Sequence, residues 1–261
     1  MQAVVRNPLA DPYLLGVSSG ASLGAVAVLV LGSAAVGGLS LSAAAFVGAL
    51  IATGAVYVLA QRRRRVTPTR LILAGVAMGY LFQAGYSYLL LTAADPQGAQ
   101  GVLFWLLGSL GAARWDVLAV PCAALAVGVG LLMTQARQLN ALLAGEDSAI
   151  ALGVDVHRLR IWLLVLTSLL TGVMVAVSGA VAFVGLIVPH FVRLVVGSHH
   201  RRVLPVAALT GAIFLVLVDL AARAAKPPTE LPLSIVTAVV GVPFFLWLLR
   251  RRDRSDQAAA G

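Results

Sequence analysis

The sequence predicts an all-α fold, a polytopic bundle of membrane helices. Three observations carry that prediction. The 261 residues are 60% hydrophobic and only 11% charged, against about a quarter charged in a soluble domain. Mean hydropathy is +0.96, and apolar runs near or above the roughly 18 residues needed to cross a bilayer recur along the chain. The basic residues, 19 in all, gather in the gaps between those runs.

Taken in order, the chain opens with a polar stretch, Met1–Asp11, that lacks the apolar segment of a cleavable signal peptide. The stretch NPLADP (residues 7–12) is a rigid loop, with Pro8 and Pro12 fixing the backbone and Asn7 and Asp11 favouring turns. A first span covers residues 14–31, unusually small and polar at its start. After a Gly/Ser turn, a second span covers 41–60, where Gly48 and Gly54 allow close helix approach. Four arginines (62–65) follow. The third span covers 71–92 and carries Gly75, Gly79 and Gly85. Residues 93–113 hold a DPQG break and an apolar piece, 101–110, too short to cross. It reads as a half-embedded helix with Trp105 near headgroup level.

The fourth span covers 115–134 and contains the single cysteine, Cys122, a packing residue by its apolar setting. Residues 135–160 form a polar loop, and the fifth span covers 161–177. Pro189, His190 and Arg193 interrupt the next apolar run, which reads as a short broken span over 186–195. The seventh span covers 203–222. A Pro-rich loop with a short half-helix leads to the last, 234–249, which ends on arginines and a polar tail. With a cytoplasmic start and eight crossings, arginines 6, 62–65, 70, 137, 158, 160, 201, 202, 250–252 and 254 fall inside. Arg114, Arg223 and Lys226 fall outside. This positive-inside bias places the 135–160 loop and both termini in the cytoplasm.

That loop has internal order. Glu146 and Asp147 open a short apolar run, and Gly153 closes it; acidic first-turn residues and a terminal Gly are start and stop signals for a helix. A second turn starts at Asp155, which can cap residues 157–160. Such a helix between two spans is a candidate docking knob for a partner outside the bilayer; a solvated connector is the alternative.

No residue set suggests a catalytic centre, a cofactor or a metal site, and nothing in the charge pattern suggests nucleic acid. His199 and His200 precede Arg201 and Arg202 at a membrane boundary; a lipid-facing basic cluster fits better than a metal pair. Asp219 and Arg223, four apart, share a helix face as a structural pair or a functional one. The acid-poor interior and the lack of a nucleotide-binding fingerprint suit a passage powered by a separate ATPase.

Four blocks carry a resemblance: RNPLADPYLLGVSSGASLG (6–24), ALLAGEDSAIALGVDVHRLR (141–160), SGAVAFVGLIVPHFVRLVVGSHHRRVLP (178–205) and ELPLSIVTAVVGVPFFLWLL (230–249). Together they resemble the FecCD-type permeases, membrane subunits of ATP-driven importers for iron-siderophores, haem and vitamin B12. The resemblance implies the type II importer permease fold, with eight of the family's ten transmembrane helices present. The start of the chain matches the end of the family's second helix, so a displaced start or a truncated form is expected.

It further implies two ATP-binding cassette ATPase subunits, an extracytoplasmic substrate-binding protein and a second permease copy as partners in a bacterial inner membrane. By the same resemblance the segment from Glu146 to Gly153 is the coupling helix, with Ala149, Leu152 and Gly153 as its contact face. Arg223 matches an outward arginine that grips acidic residues of the binding protein. An iron-siderophore is the first expected cargo, ahead of haem and vitamin B12. An ion-coupled carrier using Asp219, or a non-functional remnant, are the alternatives.

Overall fold

The computed structural model describes the backbone of the chain apart from residues 6, 8–10, 63, 64, 94, 95, 112, 226, 228 and 261. Side chains within helices and strands are described except at 4, 12, 14, 62, 65, 66, 96–100 and 248–260. Pro8 and Lys226 therefore lie outside the described residues.

Helix α1 (Gln2–Val5) leads to a 3-10 turn, Pro12–Leu15, whose entry is capped by the Asp11 carboxylate accepting the Tyr13 N–H at 3.0 Å. The expected first span breaks at Gly16, and α2 runs only from Val17 to Leu31. Its 15 residues reach about 22 Å at 1.5 Å per residue, short of the roughly 30 Å hydrocarbon layer. A helix this short is tolerated because it lies inside protein: Val17, Ser18, Gly20, Ala21, Ser22, Ala25 and Val26 are all buried.

Helix α3 (Leu41–Ala60) matches its expected span and is capped by Ser40, whose Oγ accepts the Ala43 N–H. A two-residue antiparallel pair, β1 (Gln61–Arg62) and β2 (Arg65–Val66), turns the chain at the arginine run into α4 (Pro68–Thr92). Helices α2, α3, α4 and the later α9 share the main core, with Leu15, Val17, Ala45, Ala49, Val56, Leu71 and Leu163 inside it.

The piece expected to be half-embedded falls on α5, Pro96–Leu106, which starts earlier and stops sooner than the hydrophobic run suggested. Trp105 is partly buried and packs on the main core. Helix α6 (Trp115–Thr134) matches its span. Then come three helices around the expected loop: α7 (Ala136–Leu143), α8 (Glu146–Ala151) and α9 (Val156–Ser178). Asp155 does cap, its Oδ1 accepting the Arg158 N–H at 3.0 Å. The turn it starts is not separate, however, but the first turn of α9, because nothing between 160 and 161 breaks the helix.

Helix α10 (Val184–Val196) passes straight through Pro189. Proline removes the donor for the carbonyl four residues back, and the Gly185 carbonyl is instead taken by Gln2 Nε2 at 3.2 Å. The expected break sits earlier, at Gly179 and Phe183, both with positive φ. Helix α11 (His200–Ala225) runs on three residues past its expected end, and no half-helix is described between it and α12 (Leu233–Ala260).

Length and composition mark four described segments as able to cross a membrane: Ser33–Ala60, Trp115–Thr134, Val156–Ser178 and His200–Ala225. Three apolar helices are shorter, Val17–Leu31, Val184–Val196 and the Leu233–Trp247 part of α12. The shorter α2 and α10 have buried faces against neighbouring helices, which supplies the environment that lipid would otherwise demand.

Helices α2 and α3 approach each other closely at glycines. A methyl group added at Gly24 would overlap the Ala44 carbonyl, and one at Gly48 would overlap the Gly20 carbonyl. Both obstacles are backbone and cannot swing away. The Gly48→Ala variant is therefore expected to lose about 1–3 kcal/mol to overpacking, read as a lower melting temperature of the purified protein in detergent. Gly54→Ala, on the same helix with nothing within 4 Å of the added carbon, is expected to melt no lower than the parent.

Candidate functional site

The candidate residues sit at two ends. On one, α7, α8 and the start of α9 form a compact unit. Helix α7 buries Ala136, Leu139 and Leu142 and leaves Arg137, Gln138 and Leu143 exposed. The three-residue spacing of its buried set is the sequence signal that reveals a helix there.

Helix α8 is held at both ends. At its C-terminus Leu152 is the cap and Gly153 adopts φ +80. The Gly153 N–H donates to the Ile150 carbonyl at 2.9 Å and the Val154 N–H to the Ala149 carbonyl at 3.0 Å. These two bonds are the Schellman closure, which satisfies the last carbonyls and needs a left-handed residue at the Gly position. At the N-terminus, Glu146 Oε2 receives Arg160 Nη2 at 3.2 Å. Arg160 is only 6% exposed, whereas the Glu146 side chain is 36% exposed, so solvent reaches the pair from the carboxylate side only.

The expected contact residues divide. Leu152 is 72% exposed and Gly153 is open, but Ala149 is 0% exposed and faces the core. Ile150, absent from the expected set, is 57% exposed beside Leu152. Glu146 fastens the helix to α9 and does not simply start it. A groove lined by Arg137, Gln138, Leu152, Asp155 and Arg158 flanks the exposed edge.

At the other end, Arg223 closes a three-residue ion cluster. Its Nε meets Asp219 Oδ2 at 2.8 Å and its Nη1 meets Glu230 Oε1 at 2.8 Å. The i,i+4 pair was legible; Glu230 was not, because it returns from the loop after α11. That loop folds back through the Leu231 N–H to the Ala222 carbonyl at 3.2 Å, over a small cluster of Val218, Ala222 and Leu233.

Beneath this cluster three segments lace together. The Ser109 N–H donates to the Ser178 carbonyl, and the Leu233 and Ser234 N–H groups donate to the Gly108 and Leu107 carbonyls, all within 3.0 Å. Ser234 Oγ donates to the Ala180 carbonyl at 2.9 Å and accepts the Ala182 N–H at 3.3 Å. Gly179 has room for no side chain here, since a methyl group would strike the Trp105 carbonyl. Phe183 follows, the one described non-glycine residue with positive φ. Its ring covers Gly241 of α12, and such a conformation, costing about 1–3 kcal/mol, persists only where surroundings enforce it.

His200 departs from the expected lipid-facing cluster. It is 7% exposed, and both it and His199 bond to Asn140 of α7. No group of three or more metal-ligating side chains exists among the described residues.

Comparison with known proteins agrees with this fold. The family model of the FecCD transport family matches residues 1–251. A cobalamin import system permease protein, BtuC, of Halobacterium salinarum is 46% identical over 97% of this chain and 67% of its own length. The hemin transport system permease protein HmuU of Yersinia pestis is 41% identical over 97% of this chain and 77% of its own. The Fe(3+) dicitrate transport system permease protein FecD of Escherichia coli is 40% identical over 96% and 77%. Among solved structures, an inward-facing metal-chelate type ABC transporter superposes with a TM-score of 0.85 at 31% identity, covering 96% of this chain and 79% of that one. The chain belongs to the FecCD transport family.

Proposed function

We propose that this chain is the membrane-spanning subunit of an ATP-driven importer that carries a metal chelate into the cytoplasm. An iron-siderophore is the first cargo proposed, with haem and cobalamin behind it. The chain is a permease and not an enzyme; separate ATPase subunits hydrolyse the ATP, and an extracytoplasmic binding protein delivers the cargo. The observation that carries the reading is α8, a short, doubly fastened helix offering Ile150 and Leu152 to a partner while its other side is welded to α9.

Bottom-up, the helix suits force transmission. Exposed apolar side chains give it a reason to enter a cleft, by removal of about 25 cal/mol for each Å² of apolar surface from water. Its closure at Gly153 and its Glu146–Arg160 tie keep it from unwinding when pushed. We place the contact on Ile150, Leu152 and Gly153, with Ala149 acting from within. ATP binding brings the two ATPase subunits together, displaces α8, and tilts the helices it is fastened to, opening the passage to alternate sides.

At the opposite end, Arg223 is the docking residue for the binding protein. It must exchange Asp219 or Glu230 for an acidic group of the partner, a trade that costs little at an exposed site. A second copy of the chain completes the passage, and the exposed apolar side chains of α11, among them Leu209, Ile213 and Val216, offer surface for it or for lipid. In this arrangement both termini are cytoplasmic in a bacterial inner membrane. An ion-coupled carrier would need Asp219 to release Arg223 at every cycle, and no second observation favours that.

Two tests separate the ends. Leu152→Asp is expected to abolish binding-protein-stimulated ATP hydrolysis in the reconstituted complex while capture of the cargo by the binding protein persists; unchanged hydrolysis removes α8 from the contact. Arg223→Glu is expected to weaken binding-protein docking about tenfold or more by placing like charges together, measured by surface plasmon resonance on the complex in nanodiscs. Undiminished docking moves the contact elsewhere.

A further inference from the structure

Force delivered to α8 reaches α9 directly through the Glu146–Arg160 pair. The structure also contains a second attachment, which family membership and the ion pairs do not assign. Asn140 lies on α7, six residues before Glu146. Its side-chain Oδ1 accepts the backbone N–H of His200 at 2.9 Å and lies 2.9 Å from the ring Nδ1 of the same residue. Its Nδ2 lies 3.1 Å from His199 Nδ1. One carboxamide thus uses donor and acceptor together, which assigns the proton to Nδ1 in His200 and leaves Nδ1 of His199 as acceptor.

The position of these bonds matters more than their number. His200 is the first residue of α11, and the first N–H groups of a helix have no partner within it. Helices usually satisfy them with a capping side chain just upstream. Here the cap comes from a different element, 60 positions away in sequence. The joint is 93% buried at His200, and α7 packs along α11 beside it. From that end α11 continues for 26 residues, about 39 Å, and carries Arg223 near its far end. A single helix therefore joins the unit that bears α8 to the ion cluster on the opposite side.

We propose that Asn140 is the joint through which motion of the α7–α8 unit is passed to α11, making it a positioning residue for coupling between the two ends of the molecule. The inference rests on the importer reading above. An amide at this place resists both sliding and rotation, because three bonds of fixed direction converge on it. An apolar side chain of equal size fills the space but leaves α11 free to lag.

The test uses the complex of this chain with its partner ATPase subunits, in liposomes, with magnesium-ATP as the only probe. Nitroxide labels are attached in a Cys122→Ser background at Leu31→Cys and Leu220→Cys, both exposed, at the ends of α2 and in the far part of α11. Pulsed electron resonance reads the distance between them with and without nucleotide. In the labelled parent the distance is expected to change on addition of nucleotide. In Asn140→Leu that change is expected to be lost, while the ATPase still co-purifies in the parent's proportion and hydrolyses ATP without cargo. Asn140→Asp keeps the oxygen that both His200 nitrogens use and is expected to retain most of the change.

Three results overturn the joint: a full nucleotide response in Asn140→Leu, equal loss in the Asp and Leu variants, or dissociation of the ATPase from Asn140→Leu. A parent complex that shows no nucleotide response at all overturns the importer reading itself, which keeps the two failures apart.

Discussion

A six-residue helix cannot transmit force unless something outside it keeps it rigid, since a helix this short is unstable on its own in water. That constraint organises the end of the molecule that carries α8. The stiffness comes from an ion pair with a buried arginine on one side and from a glycine-dependent closure on the other. Burial makes the pair specific: an arginine out of water is satisfied only by groups placed to meet it, and its removal costs more than an exposed pair would. Helix α9 supplies Arg160 from its second turn, so α8 is tied directly to a helix long and apolar enough to cross a membrane.

The end that carries Arg223 follows a different physical logic. Three chain segments meet there where helices end or begin: the link at Leu107–Ser109, the stretch from the end of α9 at Ser178 to Phe183, and the first residues of α12, Leu233 and Ser234. Away from water such backbone is tolerated only when its polar groups are paired. Three backbone bonds join the segments to one another, and the Ser234 hydroxyl adds two more. The strained Phe183 marks the point where this laced region passes into α10. The loop carrying Glu230 leads directly into Leu233 and Ser234, so the ion cluster around Arg223 stands on the lacing.

Much of this was legible from local chemistry. Acidic residues ahead of an apolar run and a glycine after it announced α8, and Asp155 announced its own cap. The limits of α3 and α6 followed from uninterrupted apolar runs. What escaped depended on partners distant in sequence. Pro189 looked like a break because the sequence cannot say that Gln2 waits to bond the freed carbonyl. Ala149 looked like contact surface because smallness alone does not reveal which side of a short helix faces inward. His200 looked like a surface charge because its partner, Asn140, lies 60 positions away. Glu230 entered the ion cluster only through a loop that folds back.

The most direct measurement of the central claim is chemical labelling of a Leu152→Cys variant, made in a Cys122→Ser background, with a membrane-impermeant maleimide. Reaction is expected in inside-out vesicles and not in intact cells, and bound ATPase is expected to suppress it. Labelling from the cell exterior, or labelling indifferent to the ATPase, would contradict the assignment of α8 as the element that receives the force of ATP binding.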